Sequence, residues 1–579
     1  MSSALTAIII LIFLFSNSIP VEAAQIPVGQ DVGARERTAE ELKKMEEIKR
    51  KLLKEKEEPE IKEEEEIIPE KPEAIRAPET RVLISKITVE GATMLSPLHL
   101  RAIVGPYEGK ELTLKEFRDI AEEISDQYRR KGYVTSIAYL PPQKIQNNTL
   151  RINVAEGTVG NVNLTGNRYF KTNLLLRYLT QREGDLFNYD VLRSDIDNLN
   201  EHPDRNARVL LARGEERGQT DINIQVKDRL PIHFTLGYDN YLSRYLNRNR
   251  YYGELKLTNF LGFDDIFSTE FQFGEAGRFF LYSLRYMLPV TPKWKVGAYY
   301  IHLNQKLGKE VKTLDIKGKG DILSTYISYK AIDTDNFILH IIPGFEYKDI
   351  ENKILGGVVS EDNIRIGKIG FDLDLTDRFN GRTVLTQEID FGIENILGGL
   401  EHKDPKASRS AAGAGGRFFR TVTNVARIQS LPNSLSLMLR GAMQYTPDSL
   451  VSPEQFTIGG ITTVRGYPTA EHAGDKGYTL SAELYIPPYG ISKNLKVPFT
   501  KTALFDAIRF LAFFDWGYVE NKKALVGETK DEMLCSVGPA VRFDIPGTAS
   551  VSFDYGIGLG QEASDGTRSR YYIEVKLYF

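Results

Sequence analysis

The sequence of 579 residues has little of what most enzymes and metal proteins need. Its single cysteine, Cys535, excludes an internal disulfide and a cysteine-based metal site. GxSxG, HExxH and GxxxxGK[ST] motifs are missing, and the seven histidines do not cluster at ligand spacing. These absences predict a protein that is not an enzyme and that holds no metal or cofactor.

Long apolar runs and an excess of one charge are missing as well. No stretch reaches the roughly 18 apolar residues that a transmembrane helix requires, and the mean hydropathy is -0.30, which excludes a helical membrane protein. A net charge of -4 gives no polyanion-binding signature, so nucleic acid is not an expected partner.

The first part of the chain predicts export from the cytoplasm. Residues 1–23 combine an apolar run with small residues before a cleavage point at Ala23, as in a secretory signal peptide. Because no Lys or Arg precedes the apolar run, an uncleaved anchor is the alternative. Residues 39–56 are Glu-, Lys- and Arg-rich helix formers with a thin apolar stripe, which predicts either a solvated helix or a polar plug for a water-filled pore. Glu and Pro over 57–80 predict an extended linker, so 24–80 is assigned as plug helix and linker.

Two successive β-α-α-β-β patterns follow, over residues 81–157 and 158–229. In the first, helices are predicted at 97–104 and 114–131 and a strand at 132–140. Small modules of this kind expose an edge strand that can accept an extended peptide by strand addition.

The first module carries a family resemblance. Its segments GYVTS from Gly132, YLPPQ from Tyr139 and LRINVAEG from Leu150 resemble the first polypeptide-transport-associated (POTRA) domain of the two-partner secretion transporters, the TpsB family. LRSDIDNLN from Leu192 resembles the matching helix of their second POTRA domain. The resemblance implies two periplasmic domains in front of an outer-membrane barrel.

Residues 230–579 alternate apolar and polar side chains in segments of strand length. Sixteen strands are predicted, at 232–240, 250–258, 266–273, 278–287, 294–304, 322–330, 337–347, 364–375, 383–394, 416–428, 435–445, 478–487, 508–516, 536–544, 549–559 and 570–579. An even number of roughly ten-residue amphipathic strands is typical of a bacterial outer-membrane β-barrel. A closed barrel also leaves no unpaired strand edge in hydrocarbon.

The connections between these strands have two lengths. Those after even-numbered strands are mostly short, and several after odd-numbered strands are long, such as 305–321, 348–363 and 446–477. Short periplasmic turns and long outer loops are the expected asymmetry, so 446–477 becomes the sixth external loop. The last strand ends on Phe579, which resembles the signal that the barrel-assembly machinery reads.

The sixth loop contains Val464-Arg465-Gly466-Tyr467, in which the arginine is the only charge of a glycine-rich apolar run. These residues match the VRG(F/Y) motif of the TpsB transporters and the wider BamA-type superfamily. In that superfamily the loop folds into the barrel and its arginine meets an acidic wall residue. Asp515 on strand thirteen is the expected partner, because alternation places its side chain on the face of the strand opposite to Phe514 and Trp516. Glu483 is the weaker candidate. The pair can be a static clasp or part of a moving loop.

The resemblance implies a transporter that exports a large partner exoprotein of the TpsA type, adhesin- or haemolysin-like, without nucleotide hydrolysis. The POTRA domains would capture the unfolded substrate, and the barrel would form the pore as a monomer in the outer membrane. A BamA- or TamA-type assembly factor is the alternative, although those carry more POTRA copies. A passive porin would not need POTRA domains.

Overall fold

The computed structural model describes residues 61–63, 81–216 and 218–579. The signal peptide with Ala23 and the helix predicted over 39–56 lie outside these residues. Within the described part of the chain, no helix is long and apolar enough to cross a membrane. The described residues fall into two compact units: an N-terminal unit that also includes Leu261–Asp264, and a C-terminal unit of Ile232–Phe260 and Asp265–Phe579.

The N-terminal unit contains the two predicted modules. The first strand and the elements of the first module are β1 (Ile61–Glu63), β2 (Val82–Ile84), β3 (Lys86–Glu90), α1 (Pro97–Val104), β4 (Lys110–Leu112), α2 (Leu114–Arg130), β5 (Ile137–Tyr139) and β6 (Thr149–Ala155). The module's main sheet has the order β3-β6-β5, with β3 parallel and β5 antiparallel to β6, so β5 is an edge strand.

Helix α2 starts and packs where the sequence dictates. Thr113 and Glu116 form a reciprocal capping box at its N-terminus. Phe117, Ile120 and Ile124 recur at helical spacing and are buried in the module's core. The strand predicted over 132–140 is wrong in its first half: residues 132–136 form turns, with Gly132 at φ +85°, and only Ile137–Tyr139 is strand.

The second module repeats the topology. Its elements are β7 (Thr158–Thr165), α3 (Thr172–Leu175), α4 (Tyr189–Asn200), β8 (Arg205–Arg213) and β9 (Gln219–Asp228). The sheet has the order β1-β8-β9-β7, and β1 pairs in parallel with Val209–Leu211 of β8. Within the segment 57–80, which was predicted to be an extended linker, Ile61–Glu63 adds a strand to this sheet.

The C-terminal unit is a closed antiparallel barrel of sixteen strands, which confirms the predicted fold class. Its strands are β10 (Ile232–Asp239), β11 (Arg250–Leu257), β12 (Ile266–Gly274), β13 (Phe279–Pro289), β14 (Trp294–Lys306), β15 (Lys317–Asp333), β16 (Phe337–Ile354), β17 (Gly357–Thr376), β18 (Gly381–Gly392), β19 (Phe418–Ser430), β20 (Ser436–Tyr445), β23 (Lys476–Ile486), β24 (Ile508–Glu520), β25 (Asp531–Ile545), β26 (Ala549–Gly558) and β27 (Ser569–Tyr578). Strands β21 (Phe456–Ile458) and β22 (His472–Gly474) lie inside the sixth loop, and α5 (Leu504–Ala507) precedes β24.

Two predicted external loops are much shorter than expected. The segment 348–363 is mostly strand, because β16 and β17 continue to a two-residue turn at Leu355 and Gly356. The loop predicted at 305–321 shrinks to 307–316, since β15 already begins at Lys317. These strands extend further than amphipathic alternation alone indicated.

The barrel closes through its shortest strand ladder. Only Thr235–Asp239 of β10 pairs with Glu574–Tyr578 of β27, whereas neighbouring strands elsewhere share longer ladders. Just beyond that ladder, the backbones of Phe234 and Phe579 exchange two hydrogen bonds of 3.1 and 2.9 Å. The C-terminal residue therefore lies at the closing seam.

Candidate functional site

The sixth loop, which joins β20 to β23 over 446–475, folds back into the barrel. Its two legs pair through β21 and β22, and the segment between them turns sharply at Gly459, Gly460 and Gly466, which have φ values of +105°, +99° and +92°. Val464 and Tyr467 are buried with Ile458 of β21 against Val519 and Leu534 of the wall. The motif therefore lies in the barrel interior.

The structure brings Arg465 and Asp515 together. The guanidinium donates from Nε to Asp515 Oδ2 and from Nη2 to Asp515 Oδ1, both at 2.7 Å, which is the bidentate geometry that suits this pair. The backbone N–H of Arg465 adds a third bond to Oδ2 at 3.1 Å. Ser481 on β23 donates to Oδ1 at 2.7 Å, so the carboxylate is fixed by its own wall as well.

Glu483, the weaker of the two partners predicted for Arg465, also contacts the arginine. Its Oε1 lies 2.8 Å from Arg465 Nη1. Asp554 on β26, which the sequence reasoning missed, accepts from the same Nη1 at 3.0 Å. Asp554 stands between Phe553 and Tyr555, as Asp515 stands between Phe514 and Trp516. An acidic residue between two aromatic residues is therefore the sequence pattern that could have identified Asp554 as a partner.

Two further arginines balance these three acids. Arg440 on β20 donates to Glu483 at 2.9 Å, and Arg542 on β25 donates to Asp554 at 2.9 Å. Three arginines therefore face three carboxylates, and their formal charges cancel. We call this set the clasp: Arg440, Arg465, Glu483, Asp515, Arg542 and Asp554.

The clasp is almost free of solvent contact. Arg465 is 1% exposed and Asp515 is 0% exposed. The ring of Phe513, on the inner face of β24, has its centroid 3.5 Å from the guanidinium carbon of Arg465. A buried charge is costly unless it is paired and hydrogen-bonded, and each guanidinium nitrogen of Arg465 has an acceptor here.

A glycine of the wall permits close approach of the motif. A Cβ on Gly556 of β26 would lie 2.4 Å from the backbone nitrogen of Gly466. The hydroxyl of Tyr572 accepts from the N–H of Gly466 at 3.2 Å and donates to the carbonyl of Tyr467 at 2.8 Å. The loop tip therefore contacts strands β24, β26 and β27.

The base of the same loop has a second ionic anchor. Glu454 is fully buried, and its Oε1 accepts from Lys348 of β16 at 2.9 Å. Its Oε2 contacts Arg420 of β19, which also donates to Asp390 of β18 at 2.6 Å. This anchor could not be predicted from the sequence, because a glutamate in a loop normally indicates solvent exposure.

A third anchor holds the returning leg of the loop. Asp475 accepts from the buried Arg409 at 2.7 Å and from the backbone N–H of Leu450 at 2.9 Å. Arg409 also donates to Glu528 and to Asn521. The loop is therefore fixed by charged groups at its tip and on both legs.

Ion pairs and hydrogen bonds hold the sixth loop in the barrel interior. Within residues 61–63, 81–216 and 218–579, no group of three His, Cys, Asp or Glu side chains could hold a metal ion. Cys535 lies on β25, where it is half-buried. The three ionic anchors can hold the sixth loop inside the barrel lumen.

Family models match the chain along most of its described length. The model described as "Haemolysin secretion/activation protein ShlB/FhaC/HecB" matches residues 218–542. The ShlB-type POTRA domain matches 82–157, and a POTRA model described as a surface antigen variable number repeat matches 158–229.

Curated proteins and a solved structure are similar over comparable lengths. The heme/hemopexin transporter protein HuxB of Haemophilus influenzae is 23% identical over 489 residues, which cover 82% of this chain and 83% of HuxB. The outer membrane transporter CdiB of Escherichia coli O6:K15:H31 is 23% identical over 421 residues, covering 69% of this chain and 68% of CdiB.

The structure of CdiB from Escherichia coli has a TM-score of 0.76 at 17% identity, with 96% of this chain and 100% of that chain covered. This likeness shows the shared fold. The match to the family model extends over more than half of the sequence and includes the loop that carries the clasp. The chain therefore belongs to the ShlB/FhaC/HecB family of haemolysin secretion/activation proteins, the outer-membrane transporters of two-partner secretion.

Proposed function

We propose that this chain exports one partner exoprotein from the periplasm to the cell surface, with the sixth loop as the element that closes the pore at rest. The observation that carries the proposal is the clasp, in which Arg465 of the loop is buried against Asp515 of the wall. A buried polar network that is fully satisfied holds its elements rigidly, and polar groups or water can replace its partners when the loop is released.

The modules supply two edges for an extended substrate. β5 is an edge strand of the first sheet, and β8 would be the corresponding edge of the second sheet without β1. Strand addition uses backbone hydrogen bonds, so it tolerates many substrate sequences. In this proposal β1 covers β8 at rest and leaves when the exoprotein pairs there, which prevents unrelated strands from adding to an open edge.

We further propose that the barrel is inserted by the barrel-assembly machinery and works as a monomer. Phe579 at the closing seam is the residue that would be read during insertion, and a closed ladder supports function without a second copy. The helix expected over 39–56 would occupy the lumen at rest. A crosslink between this segment and the inner wall would test that part.

The experiment that tests the export proposal is deletion of residues 81–228, with secretion of a co-expressed TpsA-type exoprotein and the amount of barrel inserted in the outer membrane measured together. We expect secretion to stop while the barrel is still inserted. Secretion that persists without the modules would overturn the proposal. An assembly factor of the BamA or TamA type would instead show loss of other outer-membrane proteins, which a transporter variant should leave unchanged.

A further inference from the structure

A small cavity lies at the outer end of the barrel, where β10 and β27 close it. It has room for one water-sized atom. It is lined by residues of the first external loop, by Thr469 of the sixth loop, and by the last external loop with the start of β27. The cavity is separate from the clasp.

The charged residues that line this cavity are mostly basic. Arg244, Arg248 and Arg570 line it, and Asp565 is the only carboxylate among the lining residues. Asp565 Oδ2 accepts from Arg570 at 2.6 Å and lies 3.3 Å from Arg248, while Thr567 donates to Oδ1 at 2.6 Å. One carboxylate therefore faces three guanidinium groups, which leaves a formal excess of two positive charges.

Two buried polar atoms at the cavity lack hydrogen-bond partners in the described structure: Ser243 Oγ and Arg570 Nε. Ser243 is 3% exposed and occupies the N-cap position of a short 3₁₀ turn, yet its side chain makes no capping bond. A buried hydroxyl and a buried guanidinium N–H normally have partners, and both can donate to an anion.

The backbone conformation and the charges of the first external loop also favour binding of an anion. Arg248 has φ +64°, a left-handed conformation that is uncommon for arginine and tends to occur at ligand sites. Burial and the neighbouring Arg570 lower the pKa of the Arg248 guanidinium. Burial tends to raise the pKa of Asp565, but hydrogen bonds from Thr567 and Arg570 outweigh it and keep that pKa low.

We propose that this cavity binds one oxyanion of the phosphate class. One oxygen would enter the cavity and accept from Ser243 Oγ and Arg570 Nε, and the remaining oxygens would face Arg244 and Arg248, whose planar forks suit phosphate. The bound anion bridges the first external loop and β27 across the shortest ladder of the barrel. Its source is either free phosphate or the phosphate groups of outer-leaflet lipopolysaccharide.

The first experiment measures binding of radiolabelled inorganic phosphate to the purified full chain in detergent, at constant ionic strength. We expect saturable binding of one phosphate per chain. Because charge-assisted hydrogen bonds are lost, Arg248→Gln and Ser243→Ala should each weaken the affinity about tenfold or more. Ser243→Ala removes one hydroxyl and changes no charge, so it remains informative if Arg248→Gln fails to fold.

The matched control is Arg568→Gln, which removes the same charge from the last external loop. Arg568 is paired with Glu562 at the surface and does not line the cavity. This control should bind phosphate as the unmodified chain does. Absence of saturable binding, or equal loss in the control and in Arg248→Gln, would overturn the proposal.

A competition experiment distinguishes the two sources. Vesicles of phosphatidylcholine with lipopolysaccharide should displace the bound phosphate if the lipid is the ligand, and vesicles with dephosphorylated lipopolysaccharide should not. Displacement by free phosphate alone assigns the site to the soluble anion, and this outcome also supports the proposed oxyanion site. Displacement by both vesicle types alike would refute an oxyanion site.

Discussion

Replacing Asp515 with asparagine tests whether the ion pair holds the sixth loop. The substitution keeps the size of the side chain but removes one of the three negative charges of the clasp, so the buried cluster acquires a net positive charge. Removing one partner of a buried ion pair typically costs about 3–5 kcal/mol. Arg465 keeps Glu483 and Asp554 as partners, so we expect the lower end of that range.

A cost of about 3 kcal/mol corresponds to a rise of roughly 150-fold in the fraction of molecules with a detached loop. Trypsin reports this fraction directly, because it cleaves after arginine and Arg465 is 1% exposed in the closed state. When opening and closing are fast relative to cleavage, the cleavage rate follows the open population. Mass spectrometry of the Arg465–Gly466 bond in the folded, detergent-solubilised protein gives the rate.

The control is Glu562→Gln, which removes a carboxylate from the exposed pair with Arg568. An exposed pair contributes little, so cleavage after Arg465 should stay at the unmodified rate. If Asp515→Asn left that rate unchanged as well, the reasoning from buried charge would be refuted. Measuring secretion with the same variant separates a static clasp from a moving part: a static clasp predicts loss of secretion with loop detachment, whereas a moving part tolerates partial release.

Further predictions concern the loop base, the loop tip and the first module. Glu454→Gln should speed hydrogen exchange at the loop base by about 100-fold, because Lys348 and Arg420 lose a buried partner; unchanged exchange would contradict a second anchor. Gly556→Ala should raise trypsin cleavage of the sixth loop without changing any charge, because the new Cβ would clash with the loop backbone. The control is Gly253→Ala, which should leave cleavage unchanged, because the atom nearest to its new Cβ lies 3.6 Å away. Burial tends to raise the pKa of Glu156, but its hydrogen bonds outweigh burial and lower the pKa below the ordinary 4.5. The first module should therefore lose stability as the pH falls below 4.5, which thermal unfolding measures. Glu156→Gln should flatten this pH dependence.

The strand count could be predicted because lipid imposes alternation. Each strand within hydrocarbon has one apolar face, and this period of two marks all sixteen strands in the sequence. Outside hydrocarbon the ladder continues without an apolar face, as at Lys317–Asp321, where lysine, glycine and aspartate follow one another. Composition there resembles a loop, so the lengths of β15, β16 and β17 could not be predicted.

The tip of the sixth loop could be predicted for a related reason, and its base could not. Arg465 is a lone charge among glycines and apolar residues, and Asp515 is an acid between two aromatics, so both depart visibly from their surroundings. Glu454 stands between Pro453 and Gln455, where nothing in the sequence sets it apart from a solvent-exposed loop residue. Its burial depends on Lys348, which is 106 residues away, and single-sequence patterns do not contain such a contact.

The distribution of charge in the clasp indicates how the sixth loop is held. In the clasp, three arginines and three carboxylates cancel, so the assembled interior carries no excess charge from this set. A buried ion network adds little net stability compared with apolar residues of the same size, yet loss of a single partner is costly. Such an element stays closed while every partner is present. In the proposed function, the loop would open when a substrate or water supplies replacement hydrogen bonds to the groups that become exposed, because the desolvation cost of those groups is then recovered in the open state.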